Sequence, residues 1–311
     1  MNILYVIGNG FDRHHKLMTS YSCFYQEYRE LLDGLSDYFP NNKDEYPWHK
    51  FEENLGKYNS DTIFSECNNL DIDYEKFKPS MIYGLEDEIS EQTETIVSNL
   101  QDAFSEWINS IEINPNEITE RLNLAPNSSY LSFNYTTTLE KIYNIQKESV
   151  IYIHGCAERY DDLIFGHGLD IDEEPEFDED GESLRTPFSD AMASARYPLS
   201  ALKKPVPEII TRNSSFFSSL SSLDHVFILG HSIGCVDHPY FIKIKENVPD
   251  NCKWVVSYYS DDEIEKHKLN LSACGVDVTN IVSLSLSDLN TYIFNVEKGA
   301  FAPILLITLP S

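Results

Sequence analysis

"ILYVIGNGFD", residues 3–12, sets how the rest of the chain reads. Five apolar residues, Ile3 to Ile7, run straight into Gly8-Asn9-Gly10, the pattern of a buried strand ending in a tight turn. Glycines there allow close backbone approach, and turn amides ahead of a helix can hold a pyrophosphate. The full G-x-G-x-x-G spacing is absent, so an ordinary turn fits Gly8, Asn9, Gly10, Phe11 and Asp12 equally well.

Beyond this turn the period changes. From Thr19 to Glu120 it is helical, with Tyr21, Phe24, Tyr25 and Tyr28 on one face and Ile96, Leu100, Phe104, Trp107, Ile108 and Ile111 on another. Thr19 or Ser20 is placed to cap the first helix, and these aromatics read as core. Strand-like runs return at 129–135, 149–155, 162–168, 225–230, 253–259 and 280–286, nearly continuous in apolar residues, as strands covered on both faces are. Helical stretches such as "TTTLEKIYNI" and "DDEIEKHKLNL" separate several of them. The expected fold is α/β, a doubly wound parallel sheet of Rossmann type with a helical insertion after the first strand. Residues 1–18 and 121–311 would form the sheet domain and 19–120 the insertion.

The 311 residues are 41% apolar and carry a net charge of −28, enough to fill a core and too acidic to favour nucleic acid or anionic lipid. No run approaches the ~20 apolar residues of a membrane span, and no basic flank precedes the first apolar run, so neither membrane insertion nor a signal peptide is expected and the cytoplasm is the expected compartment. Six scattered cysteines without a C-x-x-C pair fit reduced thiols and no structural zinc. The acidic stretch 168–183 reads as a solvated segment or a lid. In "WHKFEENLG", residues 48–56, Trp48, Phe51 and Leu55 form a helix face, while Glu52 and Glu53 are surface charges or reach a pocket.

Ligands of open parallel sheets bind beyond the strand C-terminal ends. Four segments put polar residues there: the Gly8–Asp12 turn, Asn134 in "SFNYTTTLE", His154-Gly155, and Gly230-His231-Ser232. Structural roles compete, Asn134 as a helix cap and His154 as the partner of a backbone carbonyl. Gly230-His231-Ser232-Ile233-Gly234 has the G-x-S-x-G spacing of a serine hydrolase, but only His238 and His267 follow it, one too close and one in a charged helix. A metal-dependent hydrolase using His154, His167, Asp170, His231, Asp237 or His238 is a further alternative, although no pair has a recognised metal spacing.

"YVIGNGFDRHHKLMTSYSCF", "WHKFEENLG", "LSFNYTTTLE", "IHG" and "ILGHSIGCVDHPYF" together resemble the AbiH family of bacteriophage abortive-infection proteins along nearly the whole chain. The order Gly-turn, Asn, His-Gly, Gly-x-Ser is also similar to sirtuins and sirtuin-like defence NADases. That resemblance implies NAD or a related nucleotide as substrate or ligand, with Gly8, Asn9, Gly10, Phe11, Asp12, Gly230, His231 and Ser232 binding it. Asn134 would orient the nicotinamide ribose or a water, and His154 would be the general base; no metal is implied. Thr136 stands where sirtuins carry an Asp, Asp12 where they carry a Ser, and the four-cysteine zinc module is missing. The expected function is an anti-phage effector that cleaves the nicotinamide N-glycosidic bond, alone as a homo-oligomer or with a defence partner protein. The alternative is a nucleotide-binding or partner-binding module without catalysis.

Overall fold

The computed structural model describes residues 2–40, 48–68, 79–125, 128–171, 175 and 177–297. Six strands, β1 (Ile3–Ile7), β2 (Ser129–Ser132), β3 (Val150–Tyr152), β4 (His225–Leu229), β5 (Lys253–Tyr258) and β6 (Ile281–Ser285), make one sheet in the order β3-β2-β1-β4-β5-β6. Every pair is parallel. The helices in chain order are α1 (Asn9–His14), α2 (Tyr21–Glu27), α3 (Arg29–Gly34), α4 (Phe51–Leu55), α5 (Ser60–Cys67), α6 (Pro79–Ser110), α7 (Thr138–Tyr143), α8 (Ser189–Ala201), α9 (Val206–Arg212), α10 (Ser214–Ser218), α11 (His238–Asn247), α12 (Asp261–Ala273) and α13 (Leu286–Glu297). This is the doubly wound α/β architecture expected from the sequence, with α2 to α6 between the first strand and the second.

The chain folds as two compact units. The first, Met1–Leu17, Glu112–Cys156 and Pro207–Ser311, contains the sheet. Its centre is β1, all five residues of which are buried, as expected of a strand covered on both faces. Register pairs Tyr5 with Tyr130 and with Phe227, and their rings meet at 5.2 and 5.3 Å. Ile3, Ile7, Phe11, Leu139, Leu229, Val255, Leu289 and Ile293 join the same apolar cluster.

The second unit comprises Met18–Ile111 and Ala157–Val206. Its core is aromatic: Phe104 packs on Phe165 at 4.4 Å, and Phe24 on Trp107 at 5.0 Å and on Phe51 at 5.1 Å. Ser20 caps α2 by accepting from the Cys23 amide at 3.3 Å. Trp48, Phe51 and Leu55 are all buried, but only Phe51 and Leu55 share the expected helix, since Trp48 lies in the turn before α4 at φ of 62°.

Residues 157–206, read from the sequence as part of the sheet domain, fall in this second unit. The strand expected at 162–168 is not formed; its one β-type contact is a bridge between His167 and Lys203. The apolar run there serves packing, since Phe165 fills the aromatic core. Of the acidic segment, 172–174 and 176 lie outside the described residues, and around Asp178 a turn is held by its carboxylate accepting the Asp180 and Glu182 amides at 3.0 and 2.8 Å. Among the described residues no helix is long and apolar enough to cross a membrane.

Candidate functional site

Parallel pairing alone lines up the C-terminal ends of β3, β2, β1 and β4 along one edge of the first unit. His154 follows β3, Asn134 follows β2, the Gly8–Asp12 turn follows β1, and Gly230-His231-Ser232 follows β4. All four segments singled out by sequence therefore share one sheet edge. The strand order reverses direction between β1 and β4, the switch point at which such sheets open a crevice.

The glycines at this switch are required by backbone against backbone. Gly230 has φ of +64°, and a Cβ there would lie 2.1 Å from the Phe11 nitrogen; one on Gly10 would lie 2.8 Å from the Gly230 Cα. The amides expected to cradle a pyrophosphate are committed elsewhere: Gly8 donates to the Leu229 carbonyl at 3.0 Å, Gly10 to that of Gly230 at 2.7 Å and Phe11 to that of Gly8 at 2.9 Å. Phe11 itself is a core residue, packed on His15 and Tyr143. The first turn of α1 thus braces the sheet edge through these three amides.

Asp12 is buried against the residues that follow β2. It is 1% exposed and accepts from the Thr136 hydroxyl at 2.5 Å, and Thr136 lies 3.0 Å from the Thr138 hydroxyl. Burial raises the Asp12 pKa from 3.8 to about 6, against the lowering influence of Thr136, Thr138 and Asn134. Thr138 and Asn134 approach the same carboxylate as weaker donors, and Oδ1 forms no hydrogen bond of full geometry with a described residue.

Asn134 is 5% exposed; its carboxamide forms no hydrogen bond of full geometry with a described group, but it approaches the Asp12 carboxylate as a hydrogen-bond donor and lowers its pKa. It is not a helix cap: Thr137 holds that position at the start of α7, without a side-chain cap bond. The amide of Asn134 is held by the Ser132 hydroxyl at 3.2 Å, which fixes the turn leaving β2. Asn134 sits between Phe133 and Tyr135, both of which face the His154 ring, at 5.3 and 6.4 Å. Tyr240 of α11 closes on the same ring at 5.7 Å, and His154 is 2% exposed.

His231 plays a different part. Its Nδ1 accepts from the Ile233 amide at 2.9 Å, and its Nε2 lies 3.6 Å from the Asp237 carboxylate, so the ring ties the turn after β4 to the start of α11. Ser232 is exposed, and no hydrogen bond is formed between its hydroxyl and a histidine among the described residues. Positive φ in this turn falls at Gly230 and Ile233, at 64° and 51°, and not at the serine, which differs from a nucleophile elbow.

The metal alternative draws on side chains from both units. Both nitrogens of His167 are engaged, by the Leu199 carbonyl at 2.8 Å and the Leu169 amide at 3.2 Å, and Asp170 pairs with Lys203 at 3.2 Å. No group of three or more potential metal-ligating side chains converges among the described residues.

Sequence reading did not foresee three partnerships: Thr136 with Asp12, Asp237 with His231, and, in the second unit, Lys204 with Glu52 at 2.8 Å. The first joins residues 124 apart in sequence, a separation that no local pattern carries. Nothing in the sequence marks Lys204 as buried, so the third carried no local signal, although a buried ammonium needs a carboxylate partner.

Fold and site together define a Rossmann-like α/β protein with a buried polar cluster at the ends of its central strands. A family model described as "Bacteriophage abortive infection AbiH" matches residues 4–258, and the chain belongs to that family. No curated protein and no solved structure matches the chain.

Proposed function

We propose that this protein is an abortive-infection effector that cleaves the nicotinamide N-glycosidic bond of NAD or a related nucleotide at the ends of β1 to β4. The observation that carries this reading is Asn134, a buried carboxamide at the strand end beside that of His154 whose one described polar neighbour is the Asp12 carboxylate, with no fully formed hydrogen bond of its own. Such a group is costly to leave unsatisfied, and a ligand at the sheet edge would relieve it. Asp12 and Thr136 depart from the sirtuin pattern, a carboxylate standing for the hydroxyl and a hydroxyl for the carboxylate, and here the two bond one another.

In the reaction, the C1′–N bond breaks and its electron pair leaves with nicotinamide, which departs neutral. Positive charge develops on the ribose, and a water attacks C1′ as His154 takes its proton. Asn134 orients that water or the ribose. The ring of His154 lies behind Phe133, Tyr135 and Tyr240, so the base meets substrate only when this aromatic shell opens. A closed resting site suits an enzyme whose unrestrained activity would harm its own cell. The same closed site suits a binding module, and turnover separates the two.

The test is incubation of purified protein with NAD, with and without lysate of phage-infected cells, and chromatography of the products. Wild type is expected to yield nicotinamide and ADP-ribose, and His154→Ala and Asn134→Ala to lose about 10²- to 10⁴-fold in rate while remaining folded. Equal rates in the variants would overturn the residue roles. Tight NAD binding without turnover in either condition would establish the binding module instead.

A further inference from the structure

The turn after β4 places a left-handed backbone where a glycine is not. Gly230 is left-handed, as its close approach to α1 requires, but Gly234 sits at φ of −65° and ψ of 154°, where any residue fits. The second left-handed residue is Ile233, at φ of 51°, and a β-branched side chain makes that conformation strained. Such a residue persists only where its surroundings over-determine it, and strained positions concentrate at ligand clamps and switches.

Three contacts hold Ile233. Its side chain is fully buried. Its amide donates to His231 Nδ1 at 2.9 Å, which leaves the ring proton on Nε2, 3.6 Å from the Asp237 carboxylate. Its carbonyl accepts from the Asn270 carboxamide of α12 at 2.8 Å, across 37 residues of sequence. The peptide units on either side of Ile233 are thus fixed by side chains from two different elements, and between His231 and Ile233 the chain exposes Ser232. We propose that Asn270 is a positioning residue: through the Ile233 carbonyl it holds the turn in the strained form that presents Ser232 to a ligand. Without that hydrogen bond Ile233 returns to the common negative-φ region and carries Ser232 with it. This rests on the reading of the sheet edge as a nucleotide site, and it couples that site to α12, an element the reaction as written does not use.

Calorimetric titration of the full chain with ADP-ribose, beside steady-state kinetics with NAD, tests the role. Asn270→Ala removes the donor at a half-buried position and is expected to weaken ADP-ribose binding by about 10-fold, the worth of one left-handed residue, and to raise KM for NAD by a similar factor with kcat within about twofold. Asn270→Gln keeps the donor on a longer arm and should recover part of that affinity. Ile233→Gly, which enters the left-handed region without strain, is expected to lose stability with its buried side chain but to leave Asn270→Ala little further effect on binding in the double variant. Circular dichroism establishes that each variant is folded. Unchanged ADP-ribose affinity in Asn270→Ala, a fall in kcat without a rise in KM, a loss from Asn270→Ala as large in the Ile233→Gly background as in wild type, or no ADP-ribose binding by folded wild type would each overturn the positioning role. A protein whose ADP-ribose affinity depends on Asn270 yet which leaves NAD intact would overturn the cleavage reading alone, whereas NAD cleavage with ADP-ribose affinity independent of Asn270 would overturn the positioning role alone.

Discussion

Asp12 and His15 sit three residues apart on the same turn, and burial acts on them in opposite senses. Asp12 is raised from 3.8 to about 6, so its folded form prefers the proton. The stability this contributes is complete below about pH 4 and is lost as pH rises through 6, on the order of 3 kcal/mol at most. Asp12→Asn, which removes the buried charge and keeps an acceptor for Thr136, is therefore expected to exceed wild type in urea midpoint at pH 8 and to lose that advantage by pH 5. An advantage that grows toward acid would contradict this. His15 is lowered from 6.5 to about 4 by burial; its Nδ1 donates to the Phe11 carbonyl at 2.6 Å and its Nε2 accepts from the Tyr143 hydroxyl at 2.7 Å. Its contribution is present above pH 6.5 and is lost as pH falls toward 4. His15→Gln should flatten that acid limb of the stability profile.

Among elements, the contact between the turns after β1 and β4 is the tightest point of the sheet edge. An alanine at Gly230 would place a methyl 2.1 Å from the Phe11 nitrogen in a left-handed conformation, so Gly230→Ala is expected to cost about 2–5 kcal/mol, read as a fall in Tm. Gly234 has an ordinary neighbourhood, its nearest atom being the Ser232 hydroxyl at 3.8 Å from an added Cβ, and its substitution should be mild. The strands themselves were largely legible, because short apolar runs ending in glycine or polar residues mark buried parallel strands wherever helices cover both faces. The run at 162–168 carries the same mark for another reason: Phe165 is a core residue of an aromatic cluster, and Gly166, at φ of +143°, lets the backbone pass the Leu202 carbonyl. Periodicity cannot separate these two uses of an apolar run.

Over the whole chain, the charge of −28 favours expansion through self-repulsion. Raising NaCl from 10 to 150 mM shortens the screening length from about 30 to about 8 Å and is expected to raise Tm; a fall would indicate that ion pairs such as Lys204 with Glu52 outweigh repulsion. The location of the site was legible because topology alone brings strand ends together. Its chemistry was legible only in part: Asn134 and His154 announced themselves as polar residues after apolar strands, whereas the Asp12 and Thr136 partnership depends on packing across 124 residues. Nucleotide cleavage in phage defence is decided by following NAD in cells that carry wild type, Asn134→Ala or His154→Ala after phage infection. NAD should collapse before lysis in wild type and persist in both variants at equal protein abundance; NAD that persists in wild-type cells which nonetheless block phage growth would contradict it.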